Sequence, residues 1–202
     1  MATDALTDEG LLAACRSGDE RAFATLVRRH HPPLVALARC WPGEAHEAHR
    51  DVALAWLAVL GSAGSPSTAL SVRARVGREV ARAATRRTNL PLDAADGPLV
   101  DPGRFFPKEH ELWAHEWADP PRPWGRLAAR RLGQADMPRL LARRIRELGA
   151  ARGAALTLRD IHGWPGAEAA AVLELSEAQV RALLGSAREA LRAALEAEID
   201  SQ

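Results

Sequence analysis

The sequence predicts an all-α fold: two small helical domains, residues 1–92 and 134–202, joined by a proline- and tryptophan-rich acidic linker over 93–133. Three observations carry that expectation. Apolar residues recur at three- and four-residue spacing through the first and last thirds of the chain. Strand-like alternation appears nowhere, and no internal repeat is visible. Proline recurs at 91, 98, 102, 107, 120, 121 and 123, a density that no long helix tolerates.

The elements follow in order. Leu11, Leu12 and Cys15 lead into Ser17-Gly18-Asp19-Glu20, which reads as a capping box with Ser17 and Glu20 satisfying exposed backbone NH groups. Phe23, Leu26 and Val27 share the next helical face, Pro32-Pro33 interrupts it, and Leu34, Leu37, Ala38 and Trp41 resume it until Pro42-Gly43. A third helix carries Val52, Ala55, Trp56, Val59 and Leu60, with both tryptophans expected in the core. After the turn-rich loop GSAGSPST a fourth helix is expected from about residue 70 to 87. It points Val72, Val76 and Val80 inward and Arg73, Arg75, Arg78 and Arg82 largely outward. In the linker, a short helix near 108–118 is the only regular piece expected. Its Trp113, Trp117 and Trp124 are residues that dock on the chain's own domains or on a partner. In the last third, Leu140, Leu141, Ile145 and Leu148 form one stripe, and Ala155, Leu156, Leu158 and Ile161 form a second. Gly163-Trp164-Pro165 breaks that run, and Pro165 suits the first position of a short helix ending near Leu173. Leu175 enters the core, Ser176 and Gln179 form a second capping box, and Val180, Leu183, Leu184, Ala187, Leu191 and Leu195 continue at helical spacing.

Composition narrows the function. No stretch approaches eighteen apolar residues, so no membrane insertion is expected, and the acidic start MATDALTDEG lacks the pattern of a signal or transit peptide. Cys15 and Cys40 are too few for a disulfide framework and read as reduced thiols of a cytoplasmic protein. Net charge is +1, but it is unevenly placed. Residues 61–92 hold six Arg against one acid, 126–150 seven Arg against two acids, and 93–125 seven acids against three bases. Two basic patches flanking an acidic connector suit an anionic partner touched at two places. His46 and His49 lack further ligands at metal-site spacing, as do His110 and His115. No phosphate loop, nucleophile motif or paired carboxylates appear, so neither an enzyme nor a cofactor is expected.

The pattern able to carry function is a short helix, a three-residue turn and a longer capped helix, which is the grammar of a helix-turn-helix. Two ordinary packed helices share much of that pattern. In a reader, the first turns of the second helix enter the major groove. Here those turns offer Ser176, Glu177, Gln179 and Arg181. Arg181 and Arg188 suit phosphate or guanine, and Gln179 suits adenine.

Several stretches also resemble a known family. ALTLRDIHGWPGAEAAAVLELSEAQVRALLGSAREALRAAL, residues 155–195, resembles region 4 of the bacterial extracytoplasmic-function (ECF) sigma factors, of the sigma-70 family. LLAACRSGDERAFATLVRRHHPPLVALAR is similar to their region 2.1, VALAWLAVL to the region 2.2 helix, and DPGRFFPKEHELWAHEWADPPRPW to the linker of one ECF subgroup. The resemblance implies a protein that binds core RNA polymerase and directs promoter-specific transcription initiation. Region 2 would grip the β′ clamp helices, here through Asp51, Val52, Ala55 and Leu57, and would melt the −10 element, with Arg73, Arg75, Arg78 and Arg82 facing DNA. The acidic linker would lie in a basic channel as a strand mimic. Region 4 would sit on the β flap and read the −35 element. Promoter DNA and an anti-sigma factor join the candidate partners.

The departures from the family pattern are specific. Ala53 and Leu54 stand where a polar and acidic pair is usual, and Leu70 and Val72 stand where aromatic rings would stack on melted bases. Gly77 replaces a usual asparagine, and Gly185 and Ser186 replace a large ring and an arginine. Glu174 occupies a turn position commonly held by glycine with positive φ, at a cost of about 1 kcal/mol. Two readings therefore stand: a divergent initiating sigma factor, or a sigma-derived regulator that binds polymerase, DNA or another protein without initiating.

Overall fold

In the N-terminal half, helices start where a side chain satisfies the first free NH groups. In the computed structural model, which describes residues 6–62, 70–92, 118 and 137–201, Thr7 caps α1 (Asp8–Arg16) by accepting from the Gly10 NH. Asp19, not Ser17, caps α2 (Glu20–Ala38), accepting from the NH groups of Arg21 and Ala22 at 2.9 and 3.1 Å. Ser17 instead closes α1, its NH bonding to the carbonyls of Ala13 and Ala14. The carboxylate two residues on was the better acceptor for a helix N-terminus.

Pro32-Pro33 does not interrupt α2, which runs through both prolines to Ala38. Two prolines remove the NH partners of the Arg28 and Arg29 carbonyls, and both arginines lie on the exposed side, where water replaces the lost donors. Helices α3 (Ala45–Gly61) and α4 (Val72–Thr88) complete the N-terminal unit. Trp41 and Trp56 are core residues as expected, and Phe23 meets Trp56 edge to face at 5.9 Å. Val72, Val76 and Val80 are buried, but the α4 arginines are half-buried rather than outward.

The C-terminal unit comprises α5 (Met137–Glu147), α6 (Ala150–Leu156), a π-helical turn (Thr157–Ile161), α7 (Gly166–Leu173) and α8 (Glu177–Ser201). Pro165 precedes α7 as its cap residue rather than starting it. The π turn, closed by the His162 NH on the Thr157 carbonyl at 3.1 Å, adds a residue to the helical cycle. This phase shift explains why Ala155, Leu156 and Leu158 are buried while Ile161, expected on the same stripe, is 52% exposed.

The described residues are helical and contain no strand. Their main apolar core is continuous across both units, running from Leu11 through Val52 and Val76 to Trp164, Val172 and Leu183. Most of the loop GSAGSPST and nearly all of the linker, including Trp113, Trp117 and Trp124, lie outside the described residues. Among the described residues no helix is long and apolar enough to cross a membrane.

Candidate nucleic-acid interface

The turn between α7 and α8 is built by local chemistry. Glu174 adopts φ 55° and ψ 38°, the left-handed conformation that the glycine-like position demands. The Leu175 NH then donates to the Ala170 carbonyl at 3.0 Å, closing α7. The expected capping box forms in full: the Gln179 NH donates to Ser176 Oγ at 3.2 Å, and Gln179 Oε1 accepts from the Ser176 NH and hydroxyl at 2.9 and 3.0 Å. Val180, Leu183 and Leu184 pack α8 into the core, with Trp164 and Leu173 beneath the turn. The outcome is a braced pair of helices with the first turn of the longer one at the surface.

The reading residues fare differently within that frame. Arg181 is exposed and has no partner among the described residues, so it is free to meet a phosphate or a base edge. Gln179 is not: its carbonyl is held by the cap, so it cannot make the two-point contact with adenine while the helix start is intact. Ser176 is equally committed. The Glu177 carboxylate lies against Gly166 at the start of α7. Arg188 makes two bonds to Asp160, at 2.8 and 2.7 Å, and would have to leave them to reach phosphate. That pairing holds the Asp160 carboxyl below its ordinary pKa. Gly185 and Ser186 are half-buried, so the middle of α8 offers little reach.

On the N-terminal unit, three of the four α4 arginines expected to face DNA are engaged. Arg73 Nε donates to Glu168 at 2.8 Å and its guanidinium lies 5.1 Å from the Trp164 ring centroid. Arg75 pairs with Glu9 at 2.6 Å, and Arg82 pairs with Glu79 at 2.8 Å and with Glu174 at 2.5 Å. Hydrogen bonding from Arg82 is the main cause that lowers the Glu174 pKa. Arg78 carries a buried Nε without a hydrogen-bond partner.

The four residues expected to grip polymerase divide sharply. Asp51, Val52 and Ala55 are buried, at 2%, 0% and 1% exposure, and cannot form a contact surface in this state. The Asp51 carboxylate accepts from Arg87 Nε at 2.9 Å, while Arg87 also donates to the Pro42 carbonyl at 2.7 Å. Leu57 is 66% exposed and, with Leu54 at 47%, makes an apolar strip on the outer side of α3. His49 pairs with His31, ring centroids 5.3 Å apart, and no group of three or more potential metal ligands occurs among the described residues.

The residues that sequence reasoning missed are Glu168, Glu174 and Trp164 as partners of α4, and Thr157 as partner of Cys40, with Cys40 Sγ 3.4 Å from Thr157 Oγ1. The available signal was Gly77, noticed as a departure but not as a point of close approach.

A short helix, a tight left-handed turn and a capped second helix with Arg181 exposed in its second turn have the form of a helix-turn-helix. Residues 139–191 match the family model described as sigma-70, region 4, and the match spans α5 to most of α8. The likeness is confined to this C-terminal segment, where it supports a sigma-factor-like role in binding DNA and polymerase. No curated protein matches the chain, and no solved structure does.

Proposed function

We propose that the chain is an ECF-type sigma factor that binds core RNA polymerase in the cytoplasm and directs promoter-specific initiation. The observation that carries this reading is the region 4 match over residues 139–191, coinciding with a fully capped helix-turn-helix whose Arg181 faces solvent. The N-terminal helices would serve as region 2, with Leu54 and Leu57 on α3 meeting the β′ clamp helices and α4 facing the −10 element. The C-terminal unit would sit on the β flap and read the −35 element. The protein acts by binding, without catalysis or cofactor, and an anti-sigma factor remains within the same proposal.

Pull-down of core polymerase, followed by run-off transcription from the region upstream of the coding sequence, tests the proposal. A specific transcript that requires the protein is expected. Polymerase binding without any transcript would favour the second reading, a sigma-derived regulator that does not initiate. That reading draws support from Gly185 and Ser186 on α8, and from Leu70 and Val72 where rings would stack on melted bases.

A further inference from the structure

Two adjoining cavities lie between the end of α2 and α5, and they differ in character. The first, about 330 Å³, is walled by apolar groups of Ala36, Cys40, Leu141, Ala142 and Ile145. Two of its polar atoms, Cys40 Sγ and Thr157 Oγ1, are spent on each other at 3.4 Å. The second, about 350 Å³, is mainly polar and is bounded by Trp41, Glu44 and Arg87. Arg39 and Arg146 line both cavities, so these two residues stand on the boundary between apolar and polar. Both side chains are exposed, and neither has a hydrogen-bond or ion-pair partner among the described residues. Arg87, by contrast, is held by Asp51 and the Pro42 carbonyl. Trp41 is 2% exposed, and its indole NH is buried with no hydrogen-bond partner. A buried indole NH ordinarily finds an acceptor, so the polar cavity is walled by a residue whose donor the chain leaves unused.

We infer that the adjoining cavities form a binding site for a small amphiphilic carboxylate of the fatty-acid type. Its hydrocarbon chain lies in the apolar cavity, and its carboxylate meets Arg39 and Arg146 on the side of Trp41. The division of polarity sets the class of ligand. An apolar recess of this size with a few polar groups at one end is the usual form of a small-molecule site. A neutral apolar ligand would leave both arginines and the indole NH unused, and a bare anion would leave the apolar recess wet. Among the described residues the polar cavity sets three arginines against one acid, Glu44, so an anion is favoured there. The planar guanidinium suits a carboxylate in two-point contact. The volume of the apolar cavity admits one medium-length chain rather than a diacyl lipid.

The test is a calorimetric titration of the full chain with decanoate below its micelle concentration, where saturable one-site binding is expected. Octanoate should bind roughly tenfold more weakly, since each buried methylene contributes about fourfold. Decanol keeps the chain without the charge, and acetate keeps the charge without the chain. Each should bind at least about tenfold more weakly than decanoate. Arg39→Gln combined with Arg146→Gln should weaken decanoate binding at least about tenfold. The same double variant should keep the parent's melting temperature, because neither side chain has a partner among the described residues. Ala142→Trp, at an exposed position that walls the apolar cavity, should block the hydrocarbon chain. Absence of saturable binding would overturn the inference, and that is the result expected if a segment of the chain itself fills the recess. Equal affinity for decanol and decanoate, or equal decanoate binding by the parent and the double variant, would overturn it as well. None of these measurements involves DNA or polymerase, so failure here leaves the proposed function untouched.

Discussion

Helix α4 carries Arg73, Arg75 and Arg82 in ion pairs with acids from other parts of the chain, whereas the first turns of α8 leave Arg181 exposed and without a partner among the described residues. Both segments carry arginines at positions expected to face DNA, and the sequence alone treats those arginines alike. The difference lies in where the acids fall. Glu9, Glu168 and Glu174 all lie on elements that pack beside α4, while Glu177 beside Arg181 is turned back against Gly166. A basic patch is therefore an interface only after its intramolecular partners have been counted.

The comparison breaks most visibly at the packed centre of the α4 contact. Trp164→Ala should cost about 3–5 kcal/mol, since a buried indole leaves a cavity that Gly77 has no side chain to fill. Denaturant unfolding measures it, and a loss below about 1 kcal/mol would show that the two units barely support each other.

Next in size is Arg87→Ala, which strands the buried Asp51 carboxylate and should cost about 3 kcal/mol. Arg181→Ala in the same melts should change stability by less than about 0.5 kcal/mol, because nothing in the fold uses it. Comparable losses from the two would erase the distinction between a structural and an available arginine.

In duplex binding the order reverses. Arg181→Ala should weaken binding and lower the salt dependence by about one released counterion, while Arg188→Ala should lose less, because Arg188 begins tied to Asp160. A salt titration of both variants on one duplex separates them, and a larger loss from Arg188→Ala would show that its tie yields readily to phosphate.

The smallest effect concerns acid. Glu174 has its pKa lowered in the folded chain, chiefly by Arg82 and further by the charge of Arg78. Its contribution to stability is thus fully present above its ordinary value of 4.5 and is lost as pH falls through the depressed folded value. Glu174→Asn keeps a residue that tolerates the left-handed turn, so it should cost no more than about 0.5 kcal/mol at neutral pH and flatten that part of the acid-side loss. Melts of both proteins from neutral pH to below the ordinary carboxylate range would show it, and parallel curves would mean that the Arg82 contact contributes nothing to folding.

How far the sequence spoke depended on the range of the interaction. The helices of both units, the Ser176–Gln179 cap and the positive φ at Glu174 were legible, because each is decided within a turn or two of chain. The Pro32-Pro33 break was misjudged because prolines on a wet helical face lose only hydrogen bonds that water replaces. Ile161 was misplaced because a π turn leaves no mark in apolar spacing before it shifts the phase. The α4 arginines were read as outward because Glu168 and Glu174 are 95 and 92 residues away along the chain, beyond any local pattern. Asp51 looked like a surface acid for the same reason, its partner Arg87 being supplied by another helix.

Cys40 gives the junction of the two units a built-in clock. It is 3% exposed, and burial pushes its thiol up to about 11. At pH 8 only roughly one such thiol in a thousand would be the reactive thiolate, so an alkylating reagent must wait for an opening that both uncovers and resolvates it. Once Cys15 is replaced, the slow chemical decay of the remaining thiol therefore measures how often the molecule opens, with no label attached and no partner present.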